Sequence, residues 1–162
     1  MNVAIAADHG GFALKEHLKT VLEELGIPYT DFGCHGEASV DYPDFAVPVA
    51  EAVAKGEYTR GVLICGTGLG MAITANKIPG IRAVTVHDTF SAKFTRLHND
   101  SNVLTMGGRV IGPGLAGEVL RVWLETPFEG GRHQRRLDKI AAVEEKRPEI
   151  RSEAGDPACP NC

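Results

Sequence analysis

The stretch of this sequence best suited to chemistry is a cysteine followed by closely spaced glycines. Cys65 comes directly after the apolar run Val62–Ile64 and before Gly66, Gly68 and Gly70. Such a run predicts a buried parallel strand that ends in a tight turn before a helix. Free N–H groups and the helix dipole at that point favour a thiolate, so Cys65 is a candidate reactive residue. The alternative is a small buried hydrophobic side chain, which is what most unpaired cysteines are.

Ionisable side chains also follow other apolar runs that read as strands. They are Asp8 and His9 after the first run, His87 and Asp88 after the fourth, and Arg109 after the fifth. In a parallel sheet with helical crossovers, ligands bind outside the carboxyl ends of the strands. The sequence therefore predicts that these groups gather with Cys65 at one edge of a sheet.

The segments that would position these residues alternate regularly along the chain. Short apolar runs predict five strands, at Val3–Ala7, Ile27–Phe32, Val62–Ile64, Ile81–Val86 and Val103–Met106. Helical spacing of apolar residues follows each strand, and a last helix is predicted from about Gly131 to Glu145. This alternation predicts an α/β fold, a Rossmann-like doubly wound five-stranded parallel sheet with helices on both faces and right-handed crossovers, in a single domain.

Length, charge and cysteine content narrow the class of protein. The chain has 162 residues, enough for one domain with a substantial core, and a formal net charge of −4. This balance argues against a general nucleic-acid binder. The amino terminus reads as the first strand and not as a signal peptide, and no apolar run is long enough to span a membrane. With four scattered cysteines, the sequence predicts a cytoplasmic protein with reduced thiols.

The last residues differ in character from the rest. Residues 1–146 are predicted to form the domain and residues 147–162 a flexible tail, because the apolar periodicity lapses and Pro157 and Pro160 enter. The tail ends in a single C-x-x-C pair, Cys159 and Cys162. One pair lacks the second pair that a zinc site needs, so no metal site is predicted.

Eight short segments, each with polar or glycine residues, are spread along the predicted domain. They are Ala7–Phe12, Asp41–Pro43, Ile64–Gly70, Ala75–Lys77, Gly80–Ala83, His98–Asn102, Gly107–Arg109 and Glu129–Arg136. Together they resemble the type B ribose-5-phosphate isomerases, a family that also includes allose-6-phosphate isomerases and galactose-6-phosphate isomerase subunits. The resemblance covers residues 1 to about 146, and the tail lies outside it.

The resemblance implies an aldose–ketose isomerase of the pentose phosphate pathway that interconverts ribose 5-phosphate and ribulose 5-phosphate without a metal or organic cofactor. A base must move a proton between C1 and C2 through an enediolate, and Cys65 matches that base. The N–H groups of the loop that contains Gly66, Gly68 and Gly70 can hold the developing oxyanion. Another branch of the family uses a glutamate just after the glycines. This chain has Met71 there, so the cysteine assignment is the consistent one.

Further residues match sugar-binding positions of the family. Thr67 and His98 match residues that open the sugar ring, and an imidazole suits that proton transfer near neutral pH. Residues matching those that hold sugar hydroxyls are Asp8, Tyr42 and Asn99. On position alone, Asp8 is equally suited to cap a helix, and His98 to satisfy carbonyls at a helix end.

The set that matches the family's phosphate site is His9, Arg109, Arg132 and Arg136. Arg132 and Arg136 are four residues apart and share one helix face, and a guanidinium fork suits a phosphate dianion. The glycine loop alone would predict the phosphate at residues 66–70. The resemblance instead implies that the reacting carbons lie there, and it implies no role for His87 and Asp88.

Two other classes of protein compete with this interpretation. A cysteine phosphatase on a similar sheet needs an arginine six positions after the cysteine, and that position is Met71. A non-catalytic nucleotide-binding or sensor module needs no ionisable groups around the loop, and it would show no aldose–ketose turnover. Within the isomerase interpretation, a six-carbon sugar phosphate is the alternative substrate.

The resemblance also implies how the chain assembles. It implies a homodimer, or a dimer of dimers, in which each site takes Cys65 from one subunit and His98 from the other. A two-fold axis would create such a shared site twice. The expected partners are therefore a small sugar phosphate and a second copy of the chain, and neither nucleic acid nor a membrane.

Overall fold

A computed structural model of the chain describes residues 1–146, which fall into two compact units. The first unit, Met1–Glu129, contains the strands β1 Val3–Ala7, β2 Tyr29–Asp31, β3 Arg60–Cys65, β4 Ala83–Thr85 and β5 Val103–Gly107. Its helices are α1 Phe12–Glu24, α2 Pro43–Ala54, α3 Leu69–Ala75, α4 Thr89–Asn99 and α5 Pro113–Glu125. The second unit begins at Gly130 and carries α6, Arg132–Glu145.

The five strands form one sheet in the order β2-β1-β3-β5-β4, and every neighbouring pair is parallel. Because parallel strands need a crossover, a helix follows each strand along the chain. These features confirm the predicted α/β fold. The predicted extent of the domain, residues 1–146, stays a prediction.

Side chains of the central strands alternate between two apolar layers. Val3, Ile5 and Ala7 of β1 face the layer formed with α1, α4 and α5, whereas Ala4 and Ala6 face the layer formed with α2 and α3. All five residues of β1 are buried. Burial on both faces is what a near-continuous apolar strand predicts, because helices cover both sides of a parallel sheet.

The two outer strands are shorter than the sequence predicts. β2 covers three residues instead of Ile27–Phe32, and β4 covers three instead of Ile81–Val86. Each outer strand pairs on one side only, with β1 or with β5, over three positions. The apolar character of the flanking residues reflects packing on helices, since Phe32 and Ile81 belong to the layer of α2 and α3.

Two sequence predictions concern other parts of the chain. Within residues 1–146, every helix is too short or too polar to cross a bilayer. The predicted tail, with Cys159 and Cys162, lies outside the described residues.

Candidate active site

Most of the predicted site residues lie at the carboxyl edge of the sheet. Asp8 and His9 directly follow β1, Cys65 ends β3, and Arg109 follows β5 by two residues. The three strands are neighbours in register, with Ala7 opposite Ile64 and Cys65 opposite Gly107. The sheet therefore brings these groups together, as the sequence predicted.

The Cys65 thiol is buried and held by the start of α3. Its residue is 5% exposed, and its Sγ accepts a hydrogen bond from the Gly68 N–H at 3.1 Å. Gly68 has φ +81°, a left-handed conformation that favours glycine, and it immediately precedes α3. A backbone N–H donor directed at the sulfur stabilises a thiolate, so Cys65 is placed for acid–base chemistry.

The loop after Cys65 is clamped by the loop after β5. The Gly108 N–H donates to the Cys65 carbonyl at 2.8 Å, and the Arg109 N–H donates to the Gly66 carbonyl at 3.1 Å. The Arg109 side chain also lies against this loop. A β-carbon built on Gly66 would stand 3.5 Å from Arg109 Nη1. A positive charge thus lies beside Gly66, the residue after Cys65, where it suits an anionic ligand or intermediate.

Tyr42 reaches the same loop from the start of α2. A β-carbon on Gly70 would lie 2.8 Å from Tyr42 Cζ, so only glycine allows this approach of the ring to the backbone. Tyr42 keeps 39% of its surface exposed. The phenol therefore borders the loop with one side packed and one side available to a ligand.

Asp8 and His9 are both engaged by neighbouring backbone. Asp8 Oδ1 accepts from the N–H groups of Gly10 at 2.8 Å and Gly11 at 3.1 Å, so Asp8 does organise the turn that precedes α1. His9 Nδ1 accepts from the Val40 N–H at 3.2 Å. Neutral His9 consequently carries its proton on Nε2, which makes that nitrogen a donor for a ligand oxygen.

His98 and Asn99 lie near the amino ends of the strands, away from the carboxyl ends where Cys65 is found. They end α4, and the Asn99 carbonyl accepts from Arg82 Nε at 3.1 Å just before β4 begins. Asn102, three residues further on, accepts through its carbonyl from the Gly61 N–H at the start of β3. Cys65 lies four residues further along that strand, about 13 Å away at 3.3 Å per residue. Within one chain, the described structure does not bring His98 or Asn99 to Cys65.

Three further predicted residues have simpler surroundings. Thr67 is exposed in the glycine loop, and its Oγ1 accepts from the Leu69 N–H at 3.4 Å. Arg132 and Arg136 belong to the second unit, where both are exposed on α6, one turn apart. They share a helix face, as the spacing predicted.

Known proteins resemble this chain in both sequence and fold. A family model described as Ribose/Galactose Isomerase matches residues 3–140. This chain belongs to the ribose/galactose isomerase family. Its aldose–ketose isomerase chemistry on sugar phosphates therefore agrees with the type of site that the sequence predicted.

Individual relatives span nearly the whole of the isomerase. YwlF of Bacillus subtilis strain 168, named provisionally as a sugar phosphate isomerase, is 60% identical over 147 residues, covering 90% of this chain and 99% of its own. D-erythrulose-4-phosphate isomerase of Pectobacterium atrosepticum is 42% identical and covers 89% of this chain and 95% of its own. The solved structure of Clostridium thermocellum ribose-5-phosphate isomerase B is 49% identical, with a TM-score of 0.89, and covers 90% and 99%.

Two hydrogen bonds in the isomerase site could not be predicted from the sequence. The donor to His9 is the backbone of Val40, thirty-one residues away, and a backbone N–H leaves no trace in residue type. His87 lies at the predicted strand tip, but its acceptor contact with the Gly107 N–H, at 2.9 Å, could not be predicted from its position.

Proposed function

We propose that this isomerase interconverts ribose 5-phosphate and ribulose 5-phosphate. The observation that carries the proposal is the Cys65 sulfur, held 3.1 Å from the Gly68 N–H beside the Arg109 loop. The structural relative from Clostridium thermocellum, named a ribose-5-phosphate isomerase, supports the choice of a five-carbon substrate.

Cys65 acts as the base of the proton transfer. Its thiolate removes the proton from C2 of the open-chain aldose, and the electrons move into the C1 carbonyl to give an enediolate. The resulting thiol returns a proton to C1, and a proton passes between O2 and O1 to complete the ketose. The Gly68 N–H is already bonded to the sulfur, so Gly66 and Gly70 are the glycines whose N–H groups serve the oxyanion.

Other residues bind and open the sugar. Thr67 and His98 carry the proton transfers of ring opening, while Asp8, Tyr42 and Asn99 hold sugar hydroxyls. The phosphate is bound by the guanidinium groups of Arg109, Arg132 and Arg136 together with the neutral imidazole of His9. Support for this arrangement comes from the exposed Thr67 hydroxyl, the Nε2 proton of neutral His9 and the position of Arg109 beside Gly66. The mechanism requires neither a metal nor an organic cofactor.

A second copy of the chain completes each site. His98 and Cys65 lie at opposite edges of one sheet, so a mechanism that uses both residues in one site requires two chains. A two-fold axis then forms the site twice, with the base from one subunit and the ring-opening histidine from the other. We therefore propose a homodimer as the active form.

A substrate panel tests the proposed activity. We expect the kcat/KM for ribose 5-phosphate to exceed the values for erythrulose 4-phosphate, allose 6-phosphate and galactose 6-phosphate. This ratio is compared because it is the quantity by which an enzyme discriminates between substrates. Erythrulose 4-phosphate is included because a relative at 42% identity is named for it. A higher value for that sugar, measured in the same buffer, would replace the five-carbon assignment with a four-carbon one.

A further inference from the structure

The His87 imidazole is bonded to the backbone at the end of β5. Its Nε2 accepts the Gly107 N–H at 2.9 Å. A nitrogen that accepts must carry a lone pair, so the bond exists only with neutral imidazole. Burial, opposed by the charge of Asp88, lowers the pKa of His87 below its ordinary 6.5, and this favours the neutral form.

The segment that His87 holds is the one that clamps the Cys65 loop. Gly107 is followed by the two residues whose N–H groups donate to the Cys65 and Gly66 carbonyls, at 2.8 and 3.1 Å. Gly107 also touches the loop directly, since a β-carbon there would lie 2.8 Å from Thr67 Cα. The chain of contacts therefore runs from His87 through residues 107–109 to residues 65–67.

We propose that His87 is a positioning residue, which fixes the β5 loop and through it the Cys65 loop and the Arg109 side chain. The effect of His87 on turnover rests on the proposed function, whereas its effect on the position of the loops does not. His87 touches the Gly107 backbone and has no part in the proton transfers assigned above. Without its acceptor, the N–H of the buried Gly107 loses a hydrogen-bond partner, and the turn is no longer held in one arrangement.

The proposal has a defined pH dependence. Protonation of Nε2 removes the acceptor, so the arrangement is intact above the pKa of His87 and is lost as the pH falls through it. Among the described residues, the charged group that acts on this imidazole is Asp88, which caps α4. The packed strand β5, Val103–Gly107, carries no titratable side chain.

Two substitutions at this position separate the hydrogen bond from the bulk of the ring. His87→Gln places its amide oxygen the same number of bonds from the backbone as Nε2, so it can accept from Gly107 at every pH. His87→Leu keeps an apolar side chain but has no acceptor. His17→Leu is the matched control, because His17 is also half-buried but lies midway along α1.

Amide NMR of the full-length protein reads the positioning directly. We expect the Gly107 amide signal of the parent to titrate with a midpoint below pH 6.5, and that response to vanish in His87→Gln. In His87→Leu at pH 7.5, the amide signals of residues 65–68 should shift or broaden, whereas His17→Leu should leave them at parental positions. Unchanged signals of residues 65–68 in His87→Leu, or a parental Gly107 amide that does not follow the pH, would overturn the inference.

Turnover of ribose 5-phosphate gives the catalytic consequence. We expect kcat to fall about tenfold in His87→Leu and to be restored by His87→Gln. The glutamine variant should also keep more of its activity than the parent as the pH falls through the pKa of His87. Parental kcat in a folded His87→Leu would contradict the role in catalysis. If the parent itself does not turn over this sugar, the proposed function fails while the NMR result still decides the positioning. Should His87→Leu not fold, the pH response of the parent against His87→Gln decides it.

Discussion

Cys34 and Cys65 are both buried and unpaired, and their surroundings differ in the direction of the hydrogen bond. Cys34 Sγ donates to the Gly36 carbonyl at 3.2 Å, which requires the protonated thiol. Cys65 Sγ instead accepts from the Gly68 N–H, which suits a thiolate. Chemistry at the residue scale therefore depends on which partner the backbone offers to each sulfur.

This difference leads to a prediction for the two thiols. Cys65→Ala should lower kcat for isomerisation by at least about 10²-fold, because a positioned base contributes that much, while the affinity for substrate measured by calorimetry stays parental. Cys34→Ser, which keeps a donor for the Gly36 carbonyl, serves as the control and should retain the parental kcat. Substantial turnover by Cys65→Ala would exclude this thiol as the base.

Gly70 gives a prediction about substrate binding. Gly70→Ala should raise KM for the sugar phosphate about tenfold, because its β-carbon would lie 2.8 Å from Tyr42 Cζ and displace the ring. Alanine has a higher helix propensity than glycine, so this change within α3 should not lower the thermal midpoint through helix propensity. Gly114→Ala is the control, since a β-carbon there meets nothing within 4 Å. A parental KM in Gly70→Ala would contradict the assignment of Tyr42 to the substrate-binding site.

At the residue scale, the sequence predicted which residues lie at the carboxyl ends of the strands, but it did not predict which of them contact each other. The edge that holds Asp8, Cys65 and Arg109 follows from strand alternation, which is a local property. The packing of Tyr42 on Gly70 and the contact of His87 with Gly107 depend on residues twenty or more positions apart. Such pairs become visible only when the tertiary structure fixes both partners.

At the scale of elements, the edge strand β2 is anchored by a buried ion pair. Lys15 of α1 is fully buried, and its Nζ lies 2.7 Å from Asp31 Oδ1 at the end of β2 and 2.6 Å from the Cys34 carbonyl. Burial acts to raise the pKa of Asp31, but the contacts with Lys15, the Gly33 N–H and Lys19 outweigh it and hold this pKa below 3.8. The three-residue strand thus depends on a charge pair that its apolar pattern does not reveal.

The pair predicts a loss of stability. Asp31→Asn should lower the free energy of unfolding in urea by about 3 kcal/mol, because the buried Lys15 charge loses its 2.7 Å carboxylate partner and is left with the longer 3.4 Å contact to the Glu16 carboxylate. The Asp31 contribution is complete above about pH 4 and is lost as the pH falls through the folded-state pKa, so the variant should lose less stability than the parent on acidification. Glu51→Gln breaks an exposed pair with Lys55 and should change the free energy by less than about 1 kcal/mol. A loss no larger than that of Glu51→Gln would contradict the buried role.

At the scale of the whole molecule, the carboxyl edge of the sheet exposes large apolar side chains. Leu69 and Ile73 of α3, Phe90 of α4 and Val110 after β5 are each between 56% and 70% exposed. Leu69, Phe90 and Val110 come soon after the carboxyl ends of β3, β4 and β5, and Ile73 lies one turn after Leu69. Cys65 is the last residue of β3. Exposed apolar residues of this size at one edge are typical of a surface that another chain covers, which agrees with the proposed dimer.

The shared site predicts that two inactive variants restore each other. In a hybrid dimer of Cys65→Ala with His98→Asn, one site carries both lesions and the other carries neither. Random mixing makes about half of the dimers hybrid, so about a quarter of the parental sites should return. The measurement is to unfold and refold the two purified variants together and to assay isomerisation of ribose 5-phosphate, with each variant refolded alone as the control. If both residues belonged to the site of one chain, every site in every mixed dimer would keep one lesion. Absence of recovery, with hybrid dimers identified by mass spectrometry, would therefore exclude a site that takes Cys65 and His98 from different chains.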